Sequence, residues 1–329
     1  QLLRRLSVFA GGCTLEAAED VCAADVDTLQ SLLEKSLLRM SDERYSMLET
    51  IREYAAEQLD PSEVDAVRRR LRAHVVALAE ANAGALHTAF ESSASGRLAP
   101  DYANIRAAVS YSLAAGEPDE VGRIVGAIYP FLISHGHLAE VREWVEATLA
   151  DRDRLSEKGL AEALVGGGEV ARFGGDLSRA IELKEELAAL AEGELQRPNW
   201  KAATLADLCE IALDQGDLTG ARQYAEQSAA AGGGPRAALC FAELALREGN
   251  LRSAESNGLA ALAELEEGAF NHACCLEILA ETARRAGNEA RARERFSESL
   301  RSFADLGDAG GVADCLDGLS RLAAAAGDD

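Results

Sequence analysis

The sequence predicts a mainly α-helical chain built in two styles, a small head with one short β-hairpin and then a long stack of helical hairpins. Three observations predict it. A glycine-centred mark recurs at Gly136, Gly175, Gly216, Gly249 and Gly287, with a half-copy at Gly327-Asp328, in steps of 39, 41, 33, 38 and 40 residues. Each mark is flanked on both sides by an amphipathic segment of about four helical turns. Residues 37–48 instead alternate in two short segments around a polar turn, which is a hairpin signal.

Taken in order, the head begins with a helix from Leu2 to Phe9, stopped by Gly11-Gly12. Thr14 caps a second helix through Cys22. A third runs from about Asp27 to Ser36, with Leu29, Leu32 and Leu33 on its buried side. Three helices followed by the hairpin Leu37 to Leu48 make a winged helix-turn-helix over residues 1–59.

Connecting helices occupy residues 60–115. Asp60 is placed as a cap, Pro61 at the first helical position and Glu63 for a capping box. The apolar stripe Val64, Val67, Leu71, Val75, Leu78 leaves Arg68, Arg69, Arg70 and Arg72 mostly on the opposite face, open to solvent or to another domain. Glu91 to Pro100, with Ser92, Ser93, Ser95 and Gly96, reads as an exposed loop, either a hinge or an ordinary connection.

Residues 116–329 are the repeats. Gly followed by Asp or Asn, as in Gln215-Gly216-Asp217-Leu218, ends one helix and caps the next. Val141, Ala180, Ala221, Ala254 and Ala292 stand five residues after the mark; Tyr129, Gly168, Cys209, Ala242, Ala280 and Ser320 stand seven before it. Small residues at these places let paired helices approach closely. The pattern is that of an α-α superhelical tetratricopeptide-like solenoid, with a longer and less even period than the usual unit of about 34 residues. Ala231-Gly232-Gly233-Gly234-Pro235 is a break inside it.

Composition narrows the function. The chain of 329 residues has 33 basic and 56 acidic side chains, net charge -23, which disfavours polyanionic partners and anionic membranes. Its seven cysteines form no C-x-x-C pair and no zinc or disulfide spacing, so the expected compartment is a reducing cytoplasm. No apolar run approaches a membrane span, and no signal peptide opens the chain. Gln1-Leu2-Leu3 is already helical in period, as expected of a piece of a longer protein.

Three stretches carry a family resemblance: Leu6-Ser7-Val8-Phe9-Ala10-Gly11-Gly12-Cys13-Thr14-Leu15-Glu16-Ala17-Ala18, then Leu32-Leu33-Glu34-Lys35-Ser36-Leu37-Leu38, and, most specifically, Tyr45-Ser46-Met47-Leu48-Glu49-Thr50-Ile51-Arg52-Glu53-Tyr54-Ala55. They resemble the segment after the nucleotide-binding domain in bacterial STAND ATPase regulators, the AfsR-like and LuxR-type large regulators and related cyclase-ATPase fusions. Asp101-Tyr102-Ala103-Asn104-Ile105-Arg106-Ala107-Ala108 is similar to their Asn-Leu-Arg-Ala-Ala segment. The resemblance covers roughly residues 1–150 and implies a winged helix that works as a lever between an ATPase domain and sensor repeats. ATP binding is implied upstream only: there is no G-x-x-x-x-G-K-[ST], and Gly166-Gly167-Gly168-Glu169 lacks the lysine and hydroxyl.

Catalysis is not expected, since no G-x-S-x-G, H-E-x-x-H or nucleophile with its base occurs. No cofactor or metal is expected in this chain; His135 and His137 flank a turn glycine without a third ligand, and Cys274-Cys275 point about 100 degrees apart on a helix. DNA contact is disfavoured, because residues 1–80 hold 10 basic against 15 acidic side chains. The candidate binding site is a column six residues before the mark: Glu169, Glu210, Glu243 and Glu281, facing a cationic or amide-rich peptide. The alternative is a solvated face, with Glu169 paired to Arg172, Glu243 to Arg247, and Glu281 to Arg284 and Arg285, leaving Glu210 and Asp214 unpaired. The expected function is the sensor part of a STAND-type transcriptional regulator, whose partners are its own ATPase domain and a protein, peptide or small-molecule inducer. A free-standing repeat scaffold and a DNA-binding winged helix are the alternatives.

Overall fold

The computed structural model describes residues 1–87, 91–193 and 197–326, so the half-copy at Gly327-Asp328 lies outside the described residues. Contacts divide the chain into two compact units, one of residues 1–83 and 93–166, the other of residues 84–92 and 167–329.

The first unit opens with α1 (Leu2–Leu6), α2 (Leu15–Cys22) and α3 (Val26–Glu34), then strands β1 (Arg39–Ser41) and β2 (Arg44–Ser46). Thr14 caps α2 by accepting from Ala17 N–H, and Asp25 caps α3 by accepting from Thr28 N–H. The strands pair antiparallel, Met40 opposite Tyr45, around Asp42 and Glu43 at φ 49° and 60°. Two consecutive left-handed residues match the right-handed twist of a two-residue hairpin. Cys13 extends the pairing by exchanging both backbone hydrogen bonds with Tyr45. These are the three helices and wing that the sequence predicts, with α1 three residues shorter because residues 7–9 turn toward the core.

Next come α4 (Glu49–Glu57), α5 (Pro61–Ala83), α6 (Glu91–Leu98), α7 (Tyr102–Ala115), α8 (Pro118–Ser134) and α9 (Leu138–Ala150). Three expectations are corrected here. Glu91 to Pro100 is not a loop: residues 91–98 are helical because Ala94 and Leu98, one turn apart, are both fully buried. Arg97 ties that helix to Asn82 on α5 at 2.7 Å. Glu63 forms no capping box; its carboxylate is taken by Gln1 and Arg5 of α1.

Arg72 is the third; Arg68, Arg69 and Arg70 are exposed, as the sequence predicts. Arg72 is buried, because the stripe of α5 is wider than the heptad positions and includes Val76 and Ala79. It faces Glu120 of α8 at 3.4 Å. Arg70 donates to the Val21 carbonyl at 2.6 Å, and Arg68 lies over the Tyr111 ring at 4.5 Å. These side chains hold α5 to its neighbours within the unit.

The second unit continues from α10 (Glu157–Phe173), inside which the division falls, through α11 (Leu177–Glu192), α12 (Pro198–Asp214), α13 (Leu218–Ala230), α14 (Gly234–Arg247), α15 (Leu251–Leu262), α16 (Phe270–Arg285), α17 (Glu289–Leu306) and α18 (Ala309–Ala326). Every mark makes the same turn. Gly136, Gly175, Gly216, Gly249 and Gly287 all sit at φ 75–79°, where a side chain would be strained. The next residue's N–H returns to a carbonyl five residues back, as Asp217 does to Ala212 at 2.9 Å. The Asp or Asn then caps the following helix: Asp176 accepts from Arg179, Asp217 from Gly220, Asn250 from Ser253 and Asn288 from Arg291. Gly307-Asp308 repeats the geometry at a position the spacing does not mark.

The small residues lie where close packing needs them. Val141, Ala180, Ala221, Ala254 and Ala292 are fully buried, as are Cys209, Ala242 and Ala280. Ser320 is exposed instead; Gly318 takes the contact in α18, against the Phe296 ring. Alanine, cysteine and leucine make up the core clusters between α12, α13 and α14, while Phe296 and Phe303 fill the last one.

Candidate functional site

The carboxylate column expected from the repeat register splits into two kinds of place. Its first half is an internal ion lattice. Lys184, on the apolar face of α11 and 2% exposed, is held by Glu169 of α10 at 2.5 Å and Asp207 of α12 at 2.7 Å. Gly168 makes the room: a Cβ there would stand 2.8 Å from the lysine chain. Asp207 also accepts from Arg236 of α14 at 2.6 Å. Arg236 reaches Glu210 at 3.5 Å, and Arg172 of α10 bridges Glu210 at 2.8 Å and Asp214 at 3.3 Å.

Two pairings are therefore corrected. Glu169 is neutralised by Lys184 rather than by hydrogen bonding to Arg172, and Glu210 with Asp214 is not an unpaired site. Lys184 comes from the helix that follows Glu169, 15 residues on, while Arg172 reaches Glu210 and Asp214 from 38 and 42 residues away and Arg236 reaches Glu210 from 26.

Electrostatics follow from burial. Burial works to raise the Asp207 carboxyl, but Lys184 and Arg236 outweigh it and hold it at about 2. Burial likewise opposes the charge on Lys184, and Asp207 with Glu169 more than restores it. Glu210 ends up raised: its burial outweighs Arg236 and Arg172, and Asp207 adds to the effect. Four carboxylates face three cations in this lattice, so one of the four is underscreened.

In the second half the carboxylates are half-buried and pair along their own helices. Glu243 pairs with Arg247 at 3.0 Å along α14, and Glu281 pairs with Arg284 at 2.7 Å and Arg285 at 2.6 Å along α16. Arg285 also donates to the Leu246 carbonyl, joining α16 to α14. One turn before Glu281 stands Glu277, which the repeat register did not single out. Burial, followed by Asp314, Glu243, Asp308 and Glu281, raises its carboxyl to about 7. No described cation pairs with it.

Lys184, Asp207 and Arg236 were also missed. The signal for Lys184 was present: it sits four residues from both Ala180 and Ala188, in the middle of an apolar stripe. For Asp207 and Arg236 no local pattern exists, because their partners lie on other hairpins.

The remaining candidates are structural. His137 stacks on Tyr102 at 3.7 Å and His135 packs against Phe131 at 4.4 Å. Cys275 is buried and Cys274 half-buried. Burial pushes the Cys13 and Cys22 thiols up to about 12, which makes them unreactive. Among the described residues, no group of three or more His, Cys, Asp or Glu could hold a metal ion, and no helix is long and apolar enough to cross a membrane.

Residues 1–60 match the family described as winged helix-turn-helix domain. A protein of Mycobacterium tuberculosis (strain ATCC 25618 / H37Rv) whose assigned name reads HTH-type transcriptional regulator is 32% identical over 165 residues, 46% of this chain and 18% of that protein. An uncharacterized protein of the same strain is 38% identical over 87 residues, 22% of each chain. The chain thus spans about a fifth of the length of these curated relatives. Among solved structures, a signal transduction ATPase with numerous domains (STAND) with a tetratricopeptide repeat sensor, from Pyrococcus horikoshii, aligns with 100% of this chain and 60% of its own, at 11% identity and a TM-score of 0.44. BtubC from P. vanneervenii aligns with 61% of this chain and 90% of its own, at 16% identity and a TM-score of 0.46. The head is a winged helix-turn-helix domain, and the hairpins behind it are tetratricopeptide-like repeats.

Proposed function

We propose that this chain is the sensor and relay portion of a STAND-type ATPase regulator of transcription. Its repeats take a protein, peptide or small inducer, and its winged head passes the change to an ATPase domain that binds ATP. The observation that carries this reading is that the exposed face of α3 offers acids where a DNA reader needs cations, while the wing arginine is engaged within the head. Arg44 of the wing forks onto Asp101 with two bonds of 2.9 Å and also donates to the Gly12 carbonyl. Lys35 at the end of α3 bonds Ser31 at 3.0 Å. The exposed positions of α3 include Asp27, Gln30 and Glu34. A DNA-reading helix needs several cations turned toward phosphates, and this one presents acids.

The head and the hairpin α8–α9 belong to one compact unit, which suits a lever better than a tethered reader. A ligand on the repeats biases such a lever only through different affinity for its two arrangements. The face of the repeats that carries Glu243, Arg247, Glu281 and Arg284 is the surface proposed for that ligand. Glu169, Arg172, Glu210 and Asp214 instead keep the hairpins in register beneath it.

The test is a mass and peptide map of the native polypeptide. A P-loop segment joined ahead of Gln1 is the expected result. A native polypeptide without one overturns the relay reading and leaves a binding scaffold.

A further inference from the structure

α7 presents one face beside the head on which Ala103, Ala107 and Ser110 follow at i, i+4 and i+7. Ala10 of the head and Trp144 of α9 line, with that face, an open cleft of about 440 Å³. The volume is in the range of small-molecule sites. Trp144 lines the cleft and is 8% exposed. The wall toward the head is tight, since a Cβ on Gly11 would approach the Ala103 methyl to 3.2 Å. All these residues lie within the first compact unit.

The polar groups at the mouth are unequally used. Arg106 donates through Nε to Glu140 Oε1 at 2.6 Å, and the Tyr102 hydroxyl donates to Glu140 Oε2. Both oxygens of Glu140 are thereby occupied. Among the described residues, the two Nη groups of Arg106 and the Ser110 hydroxyl have no hydrogen-bond partner, and the Arg106 side chain is 59% exposed. The Arg106–Glu140 pair is neutral as a whole, so selection rests on geometry. The free Nη edge of a guanidinium matches two coplanar oxygens.

We propose that this cleft binds a small carboxylic acid with an apolar body of about one ring. Its carboxylate sits on the Nη edge of Arg106 with Ser110, and its body lies against Trp144 between Ala103 and Ala107. The site is independent of the relay reading above, because it needs neither an ATPase domain nor a ligand on the repeats.

The experiment uses the two tryptophans of the sequence. In a Trp200→Phe background Trp144 is the sole indole, and its emission is followed while 3-phenylpropionate, 3-phenylpropanamide or inorganic phosphate is added. The expected result is a saturable change with the acid, at least about tenfold tighter than with the amide, and none with phosphate. Arg106→Gln brings acid and amide to the same affinity. Ala107→Phe fills the cleft and abolishes the change while leaving the helical circular dichroism and melting transition in place. Equal binding of acid and amide, acid binding that survives Ala107→Phe, or no saturation up to about 10 mM acid each overturns the proposal.

Discussion

The side-chain amide of Asn104, buried on α7, donates to the Gly12 carbonyl at 2.8 Å while its oxygen accepts from the Gly11 N–H at 3.1 Å. It thereby closes the Gly11-Gly12 turn of the head across more than ninety residues of sequence. The same amide donates to Asp101 at 2.6 Å, and Asp101 receives the Arg44 fork from the wing. Two of the stretches that resemble STAND regulators, around Gly11-Gly12 and around Asp101 to Ala108, are thus the two sides of one contact.

Asn104→Ala leaves the Gly11 N–H without a partner and the Gly12 carbonyl with Arg44 alone. The expected loss is about 2–3 kcal/mol in the first unit, read from urea unfolding. Hydrogen exchange at the Gly11 amide should accelerate in parallel. Unchanged exchange there would mean the contact is not closed in solution.

Lys184→Met removes the cation between Glu169 and Asp207 and leaves both carboxylates buried. The expected cost is about 3–5 kcal/mol, and adding Glu169→Gln and Asp207→Asn should recover most of it. The pH dependence has a definite sign. Asp207 is held at about 2, below its unfolded value of about 3.9, so its contribution is complete above that value and is lost as pH falls through 2. In Lys184→Met that loss moves to higher pH, as acid titration of the unfolding free energy would reveal.

Gly318→Ala drives a methyl into the Phe296 ring and should cost about 1–3 kcal/mol by overpacking. Ser320→Ala, on an exposed position two residues on, should be within about 0.5 kcal/mol of the parent. Thermal melts of the pair separate the contact the structure makes from the one the repeat register assigns.

Glu277 is raised to about 7 by its burial and its acidic neighbours, above an unfolded value of about 4.3. A raised carboxyl favours the folded state in its protonated form. Its stabilising effect is therefore complete below about 4.3 and fades as pH rises through 7. Glu277→Gln should match the parent near pH 4 and exceed it by about 1–2 kcal/mol at pH 8, a figure reduced for partial exposure. Denaturation at both pH values checks this, and a constant difference would refute it.

What was legible in the sequence was what acts locally. A glycine at positive φ, the Asp or Asn that caps the next helix, and the alternation of residues 37–48 each depend on a dozen neighbouring residues or fewer. The five marked turns and the winged head therefore follow from the sequence as it stands. Gly307-Asp308 escaped because its turn falls half a period from the others. The loop expected at Glu91 to Pro100 failed for a related reason: its serines signal a break, while Ala94 and Leu98 bury one turn apart and win.

Only the tertiary structure decided which charges meet. Glu210 looked unpaired because its own helix supplies no cation, yet Arg172 and Arg236 reach it from the helices on either side. A period of 3.6 residues specifies which face of a helix is apolar, but not how far one hairpin is shifted along the next. That shift places Lys184 between Glu169 and Asp207, turns half of a candidate binding column into an ion-paired lattice, and leaves Glu277 half-buried without a cation.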